Sequence, residues 1–389
     1  MAVAGIVAEY NPFHRGHRWQ IEATRRALGA DTAVVCAMSG NWVQRGECAL
    51  TDKWTRAALA LRGGADLVLE VPTVWACASA ETFARGAVGV LAATGVVDTL
   101  SFGSESGDLA ALRRTAARLD TPEYHQAVRR LVRDGMAFPA ARQAAAGALL
   151  GGDADCLARP NDNLGVEYLR ALPPEIRPLA IPRRGVGHHG GTGEGLASAT
   201  YLRTLLRGGG QEKAAPYLTE PWRWETAEFS RCERALLARI RTMGPEDWAQ
   251  LPDSGAAEGL PGRLTDWARR AASVEEFLSG AKTRRYAHAR LRRLLVWAFL
   301  GLRAADRPGA VPYLRVLGFT GRGRALLGEM RDRARAPVVT KPAHARRLPA
   351  GGARLFGLEA RCTDLFALCL PQVPPGGWEW TSGPVREMD

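Results

Sequence analysis

Four short apolar runs in the first quarter of the chain constrain its fold more than any other feature. Gly5-Ile-Val-Ala-Glu9, Ala33-Val-Val-Cys-Ala-Met38, Leu67-Val-Leu-Glu-Val71 and Val97-Asp-Thr-Leu-Ser-Phe102 each read as a strand, and each is followed by a turn signal. Between them lie helix-length patterns, Arg18 to Leu28, Thr51 to Arg62 and Ser79 to Thr94. Strands buried on both faces and joined by helices imply a parallel, doubly wound Rossmann-like α/β sheet. Pro178-Leu-Ala-Ile181 could add a late strand. On such a sheet ligands bind beyond the carboxyl ends of the strands. The loops Tyr10 to His17, Ser39 to Glu47, Pro72 onward, Gly103 to Asp108 and Arg183 to Thr200 are therefore the candidate site.

The first of these loops carries His14-Arg15-Gly16-His17. Two imidazoles three apart at the start of a helix share a face, and the free N–H groups there favour an anion such as a polyphosphate. Gly16 is expected to let the backbone approach that phosphate. The plain alternative for such a motif is a pair of surface histidines near a turn. The last loop carries Glu194-Gly-Leu-Ala-Ser-Ala-Thr-Tyr-Leu-Arg203. Ser198 or Thr200 can cap a helix whose open N–H groups face a phosphate, and Arg203, a turn later, can bridge two phosphate oxygens. Read alone, these would be an ordinary cap and a surface ion pair; paired with the opening motif they are far more specific.

Charge is the second informative feature. The 389 residues carry a net +12, but Ala281 to Arg347 holds 17 Lys/Arg against three acids, or +14, leaving −2 for the rest. A segment this basic, with Tyr286, Trp297, Tyr313 and Phe319 interleaved, suits a polyanion such as RNA; the bland reading is a solvated helical surface. Leu206-Arg-Gly-Gly-Gly210 reads as a linker, after which strand signals vanish and helical periodicity dominates. This places a sheet domain with the phosphate-binding loops at 1–207 and a basic, mainly α-helical domain at 208–389. Ala140 to Leu150 reads as a helix, and the tail from Pro371 as an irregular cover. Seven cysteines with no CxxC and no zinc spacing support neither a disulfide framework nor a structural metal. Without a signal peptide pattern or a run of about 18 apolar residues, the expected location is cytoplasmic.

With both motifs in hand the chain resembles the HxGH nucleotidyltransferase superfamily, and more closely the bacterial tRNA(Met) cytidine acetate ligases. The resemblance rests on Ala8-Glu-Tyr-Asn-Pro-Phe-His14 with Gly16-His17, Met38-Ser-Gly-Asn41 with Val43-Gln-Arg-Gly-Glu47, Asp52-Lys-Trp-Thr-Arg-Ala57 and Gly64-Ala-Asp-Leu-Val68. It continues through Phe102-Gly-Ser-Glu105, Pro160-Asn-Asp162 with Leu164-Gly-Val-Glu-Tyr168, Ser198-Ala-Thr200, Thr283-Arg-Arg-Tyr286 and Arg315-Val-Leu-Gly-Phe319.

Such ligases activate acetate with ATP as acetyl-adenylate and pass the acetyl group to N4 of the wobble cytidine of elongator tRNA(Met). The resemblance implies that Tyr10, Asn11, Pro12, His14, Gly16 and His17 form the ATP loop, extended by Val7, Ala8, Glu9, Phe13 and Gln20, with His14 and His17 catalytic. It carries Gly103, Asn161 and Arg183 over as further ATP contacts, and it makes 1–207 an ATP-binding catalytic domain. Two departures stand out: His188-His189-Gly190 replaces a Tyr-His-Asp run after Arg183, and Pro182 stands where a Lys is common.

The chemistry of the residues agrees. Acetate needs a small cationic pocket, for which Lys53 or Arg45 are candidates, and Mg²⁺ is expected to travel with the ATP. Arg284, Arg285, Arg290, Arg292 and Arg293 are the candidate tRNA contacts. The competing readings are a small-molecule adenylyltransferase of the same superfamily, which leaves the basic segment without a purpose, and a non-catalytic RNA-binding protein with a relic ATP site.

Overall fold

The expected strands form where the apolar runs lie. A computed structural model describes residues 1–183, 192–193 and 195–387. In it β1 (Val3–Ala8), β2 (Ala33–Ser39), β3 (Leu67–Val71), β4 (Thr99–Ser104) and β5 (Arg177–Pro182) lie side by side in the order β3-β2-β1-β4-β5, all parallel. β2 and β3 are buried along their whole length, as their unbroken apolar runs require.

The crossover helices are α1 (Arg15–Leu28), α2 (Lys53–Arg62) and α3 (Ala80–Ala93). Each starts at a side chain that satisfies an open N–H: His14 for α1, Asp52 for α2 and Ser79 for α3. α1 stops at Gly29, whose φ of +113° few other residues tolerate. Beyond β4 the Ala-rich stretch is helical over Phe138–Leu150, and α4 (Pro160–Ala171) opens with proline in its first turn. α5 (Ala199–Arg207) follows β5.

The expectation that strands end near Gly210 is corrected. After helices that include α6 (His288–Leu300), the chain returns as β6 (Leu314–Thr320), which adds antiparallel to β3. Two short strands, β7 (Val338–Val339) and β8 (Val385–Glu387), then pair parallel with β6 on either side of α7 (Ala350–Ala367) in sequence. β6 hid inside the basic segment because Arg315 interrupts its apolar pattern. That arginine is buried against Glu379, which no local periodicity reveals. Gly318 lets β6 close on α2, since a Cβ there would lie 2.8 Å from Leu61 Cδ1. One apolar core takes residues from both sides of position 207.

Candidate functional site

Successive connections leave β1 toward β2 and β4 toward β5, in opposite directions, so a crevice opens between the carboxyl ends of β1 and β4. A cavity of about 330 Å³ occupies it. Its walls include Val7, Ala8, Glu9, Tyr10, Asn11, His17 and Gln20 from β1 and the start of α1, and Gly103 from β4. Asn161, Arg183, Arg45, Ser198, Thr200 and Arg203 complete the set of sequence-expected residues that converge there. Phe83, Leu164 and Tyr168 add an apolar wall. Of these three, only Phe83 lies outside the blocks that carry the family resemblance, and a lone Phe on a helix carries no signal distinguishing it from core.

Pro12, Phe13, His14 and Gly16 do not line the cavity. Phe13 is buried between the rings of Tyr10 and His17, with centroids 4.9 and 5.6 Å away, and fills the space left by Gly63. It supports the loop from beneath. His14 caps α1 and stacks on His17 with 3.8 Å between ring centroids. Gly16 also serves His14: a Cβ there would lie 2.8 Å from His14 Cε1, so the glycine makes room for the imidazole. This corrects its expected role of admitting the phosphate.

The backbone sets both histidine tautomers. Gly16 N–H donates to His14 Nδ1 at 3.0 Å, and His14 N–H donates to His17 Nδ1 at 3.3 Å. With Nδ1 accepting in each ring, the network assigns the proton of each neutral imidazole to Nε2. Burial, then the charges of Arg183 and Arg203, lower the His14 pKa to about 3. Burial, then His14 and Arg183, hold His17 well below its ordinary value. At neutral pH the pair offers N–H donors without charge.

Positive charge comes from Arg203 and Arg183, with Arg45 also on the wall. Arg203 donates to the Asn11 carbonyl at 2.8 Å and to Thr200 Oγ1 at 3.1 Å, and its Nε lies 3.7 Å from Glu47. It thereby joins the opening and closing motifs. Ser198 is the N-cap of α5, accepting from Tyr201 N–H at 3.2 Å. Arg183 donates to Asn161 Oδ1 at 3.3 Å, and its stem passes over Gly103, where a Cβ would sit 3.3 Å from Arg183 Cγ.

Two distant sequence blocks explain each other at this edge of the cavity. Glu105 accepts from the backbone N–H groups of Asn161 and Asp162, while Asp162 accepts from Ser104 Oγ and the N–H groups of Glu105 and Ser106. This reciprocal lock fixes the start of α4 against the end of β4. Arg56, fully buried, plays a similar part on the other side, donating to the carbonyls of Glu9, Ser39 and Gly40 at the ends of β1 and β2. Glu9 accepts from Gln44 N–H at 2.9 Å; burial raises its pKa, opposed by that hydrogen bond and by Arg203.

Lys53 is a correction. Its ammonium lies 2.7 and 2.9 Å from the two Glu70 oxygens and also pairs with Glu379, fully buried beneath the sheet. It does not line the cavity, which leaves Arg45 as the acetate candidate. The interleaved aromatics are a second correction, since Tyr286, Trp297, Tyr313 and Phe319 are all buried. Tyr286 donates to the Glu258 carbonyl at 2.8 Å, and Trp297 to that of Cys77 at 2.7 Å, so they are core anchors and not stacking platforms. Of the candidate tRNA contacts, Arg284 and Arg285 are exposed, Arg292 and Arg293 are half-buried, and Arg290 is taken up by Asp253 and Glu258. The His188-His189-Gly190 departure lies outside the described residues.

A parallel sheet with two stacked histidines at its switch point is the architecture of a nucleotidyltransferase, and the family described as HIGH Nucleotidyl Transferase matches residues 1–376. The chain is 39% identical to the tRNA(Met) cytidine acetate ligase of Syntrophotalea carbinolica, with 100% of this chain and 97% of that protein covered. It is 35% identical to the Fervidobacterium nodosum protein of the same name, over 87% and 84% of the two chains. The apo structure of Thermotoga maritima TmcAL superimposes with a TM-score of 0.90 at 31% identity, and its form bound with alpha-thio ATP with 0.88 at 31%, each covering all of both chains. The chain belongs to the tRNA(Met) cytidine acetate ligase family, within the HIGH nucleotidyl transferases.

Proposed function

We propose that this protein uses ATP to activate acetate and transfers the acetyl group to N4 of the wobble cytidine of elongator tRNA(Met), giving N4-acetylcytidine. The observation that carries the reading is the convergence of neutral, Nε2-protonated His17, with His14 stacked behind it, on one switch-point cavity with Arg183 and Arg203. The relative bound with alpha-thio ATP supports a nucleotide as the ligand.

In the first half-reaction a carboxylate oxygen of acetate attacks the α-phosphorus, a P–O bond forms, and the bond to the β-phosphate breaks to release pyrophosphate. The His17 N–H and the guanidinium groups of Arg183 and Arg203 face the charge that develops, already oriented before the reaction begins. Arg45, on the cavity wall, is the cation for acetate. In the second half-reaction the cytidine N4 attacks the acetyl carbon, the C–O bond to AMP breaks, and the extra N4 proton leaves to solvent. Mg²⁺ belongs with the nucleotide phosphates, since it keeps several waters and binds mainly through phosphate oxygens.

Exposed Arg284 and Arg285 are the first tRNA contacts, and the segment 208–389 is the tRNA-binding part of the chain. A cytoplasmic location fits a tRNA substrate; among the described residues no helix is long and apolar enough to cross a membrane. Acetate-dependent exchange of pyrophosphate into ATP, together with nucleoside mass spectrometry of tRNA after incubation with ATP and acetate, tests the reading. Exchange plus N4-acetylcytidine is expected. Exchange that needs a phosphorylated small molecule instead of acetate would favour the adenylyltransferase alternative, and tRNA binding without any exchange the relic-site alternative.

A further inference from the structure

A second cavity of about 280 Å³ lies beside the first, with Glu47 in the wall toward it. The Glu47 carboxylate lies 3.7 Å from Arg203, which lines the first cavity, and 3.6 Å from Arg207, which lines the second. The wall is rigid. It is the hairpin pairing Trp42–Val43 with Glu47–Cys48, and its turn residue Gly46 (φ +75°) rests on α6 so closely that a Cβ would lie 2.5 Å from the Arg293 nitrogen.

The lining is chemically mixed in a particular way. Phe229 and Leu278 supply an apolar face. Arg207 has a buried Nε without a hydrogen-bond partner, and Arg292 makes no ion pair among the described residues. The other acids are occupied: Glu228 pairs with Arg231, Glu233 accepts from Val274 N–H, and Glu275 accepts from Ser279 Oγ at 3.2 Å. A flat ring against the apolar face, an amino group toward Glu47 and a phosphate toward Arg207 Nε and Arg292 would fit this lining.

We propose that this cavity is the acceptor-base pocket, which takes the pyrimidine nucleotide to be acetylated and presents its amino edge through Glu47 to the first cavity. The assignment rests on acetyl transfer to cytidine being the reaction. A carboxylate accepts from the N4 amine of cytosine but faces the O4 lone pairs of uracil, so Glu47 selects cytosine. Exposed Arg284 and Arg285 stand a few residues ahead of α6, the helix that carries Arg292.

Anticodon stem-loop RNAs with C or U at the wobble position provide the probe, bound to the full-length protein. The wild type is expected to prefer C by at least about tenfold, and Glu47→Gln to lose that preference, since an amide donates to O4 as readily as it accepts from N4. Ser230, exposed at the mouth, allows a filling variant: Ser230→Trp should lower acetyl transfer at least about tenfold while a circular-dichroism melt stays unchanged. Arg292→Ala should weaken binding of both RNAs alike. Wild-type transfer by Ser230→Trp, or an intact C/U preference in Glu47→Gln, overturns the pocket. Absence of transfer by the wild-type protein overturns the underlying acetyl-transfer reaction instead.

Discussion

Replacing Gly16 by alanine separates the stability of the histidine pair from its chemistry. The new Cβ would sit 2.8 Å from His14 Cε1 and 3.0 Å from Nδ1. The imidazole has little room to yield, being only 7% exposed and stacked 3.8 Å from His17. Turning it off its rotamer costs about 0.5–1.5 kcal/mol, and losing the Gly16 N–H to Nδ1 bond about as much again. Against this, alanine in the first turn of α1 gains up to about 1 kcal/mol over glycine. Net stability should therefore fall by no more than about 3 kcal/mol. Activity should fall much further, because a displaced His14 ring no longer holds the His17 ring stacked on it, and a misaimed His17 Nε2–H is a lost preorganised donor, worth about 10²–10³ in turnover. Acetate-dependent pyrophosphate exchange should show this loss in kcat with little change in KM for ATP, since Arg183 and Arg203 are untouched. A double-mutant cycle sharpens the test. In a His14→Ala background there is no ring to displace, so adding Gly16→Ala should cost no further activity. Wild-type exchange in Gly16→Ala, or losses that simply add in the double variant, would refute the role of Gly16 as space for the His14 ring.

Three further outcomes are expected. His14 is held neutral with its pKa lowered to about 3, so it contributes stability that is present above about pH 6.5 and lost as pH falls below it, at up to about 1.4 kcal/mol per pH unit; thermal melts of His14→Gln should show a shallower acid limb than wild type. Lys53→Met leaves Glu70 and Glu379 buried without their ammonium partner and should destabilise the fold by about 3–5 kcal/mol in urea melts, whereas an acetate-contacting lysine would instead raise the KM for acetate in a stably folded protein. Reversing Arg284 and Arg285 to glutamate should spare pyrophosphate exchange while weakening tRNA binding and flattening its salt dependence; an unchanged salt slope would make them merely solvated charges.

The buried cluster around Lys53 shows where sequence reasoning stops. Burial, then repulsion from Glu70, pushes Glu359 up to about 8, so it is largely protonated at neutral pH. Lys53 and Arg315 then balance Glu70 and Glu379. These residues come from α2, β3, β6, α7 and the chain near the C-terminus. Nothing in their local patterns distinguishes such charges from solvated ones, because a lone charge reads as surface until its partner is known. The same blindness turned Lys53 into an acetate candidate and concealed β6.

What the sequence determined by itself was everything governed by short-range pattern. Period-two and unbroken apolar runs set β1 to β5, and cap residues such as Asp52 and Ser79 set helix starts. The nearness of the two histidines follows because residues three apart at a helix start share a face. Tertiary structure alone decided what depends on groups brought together from far apart in the chain. It put Arg203 on the Asn11 carbonyl, locked Glu105 to Asp162, and made Gly16 a space for His14 instead of a phosphate cradle. It also turned four aromatics of the basic segment inward, since a ring's exposure depends on which strand or helix closes over it, and that closure is a long-range event no local pattern encodes.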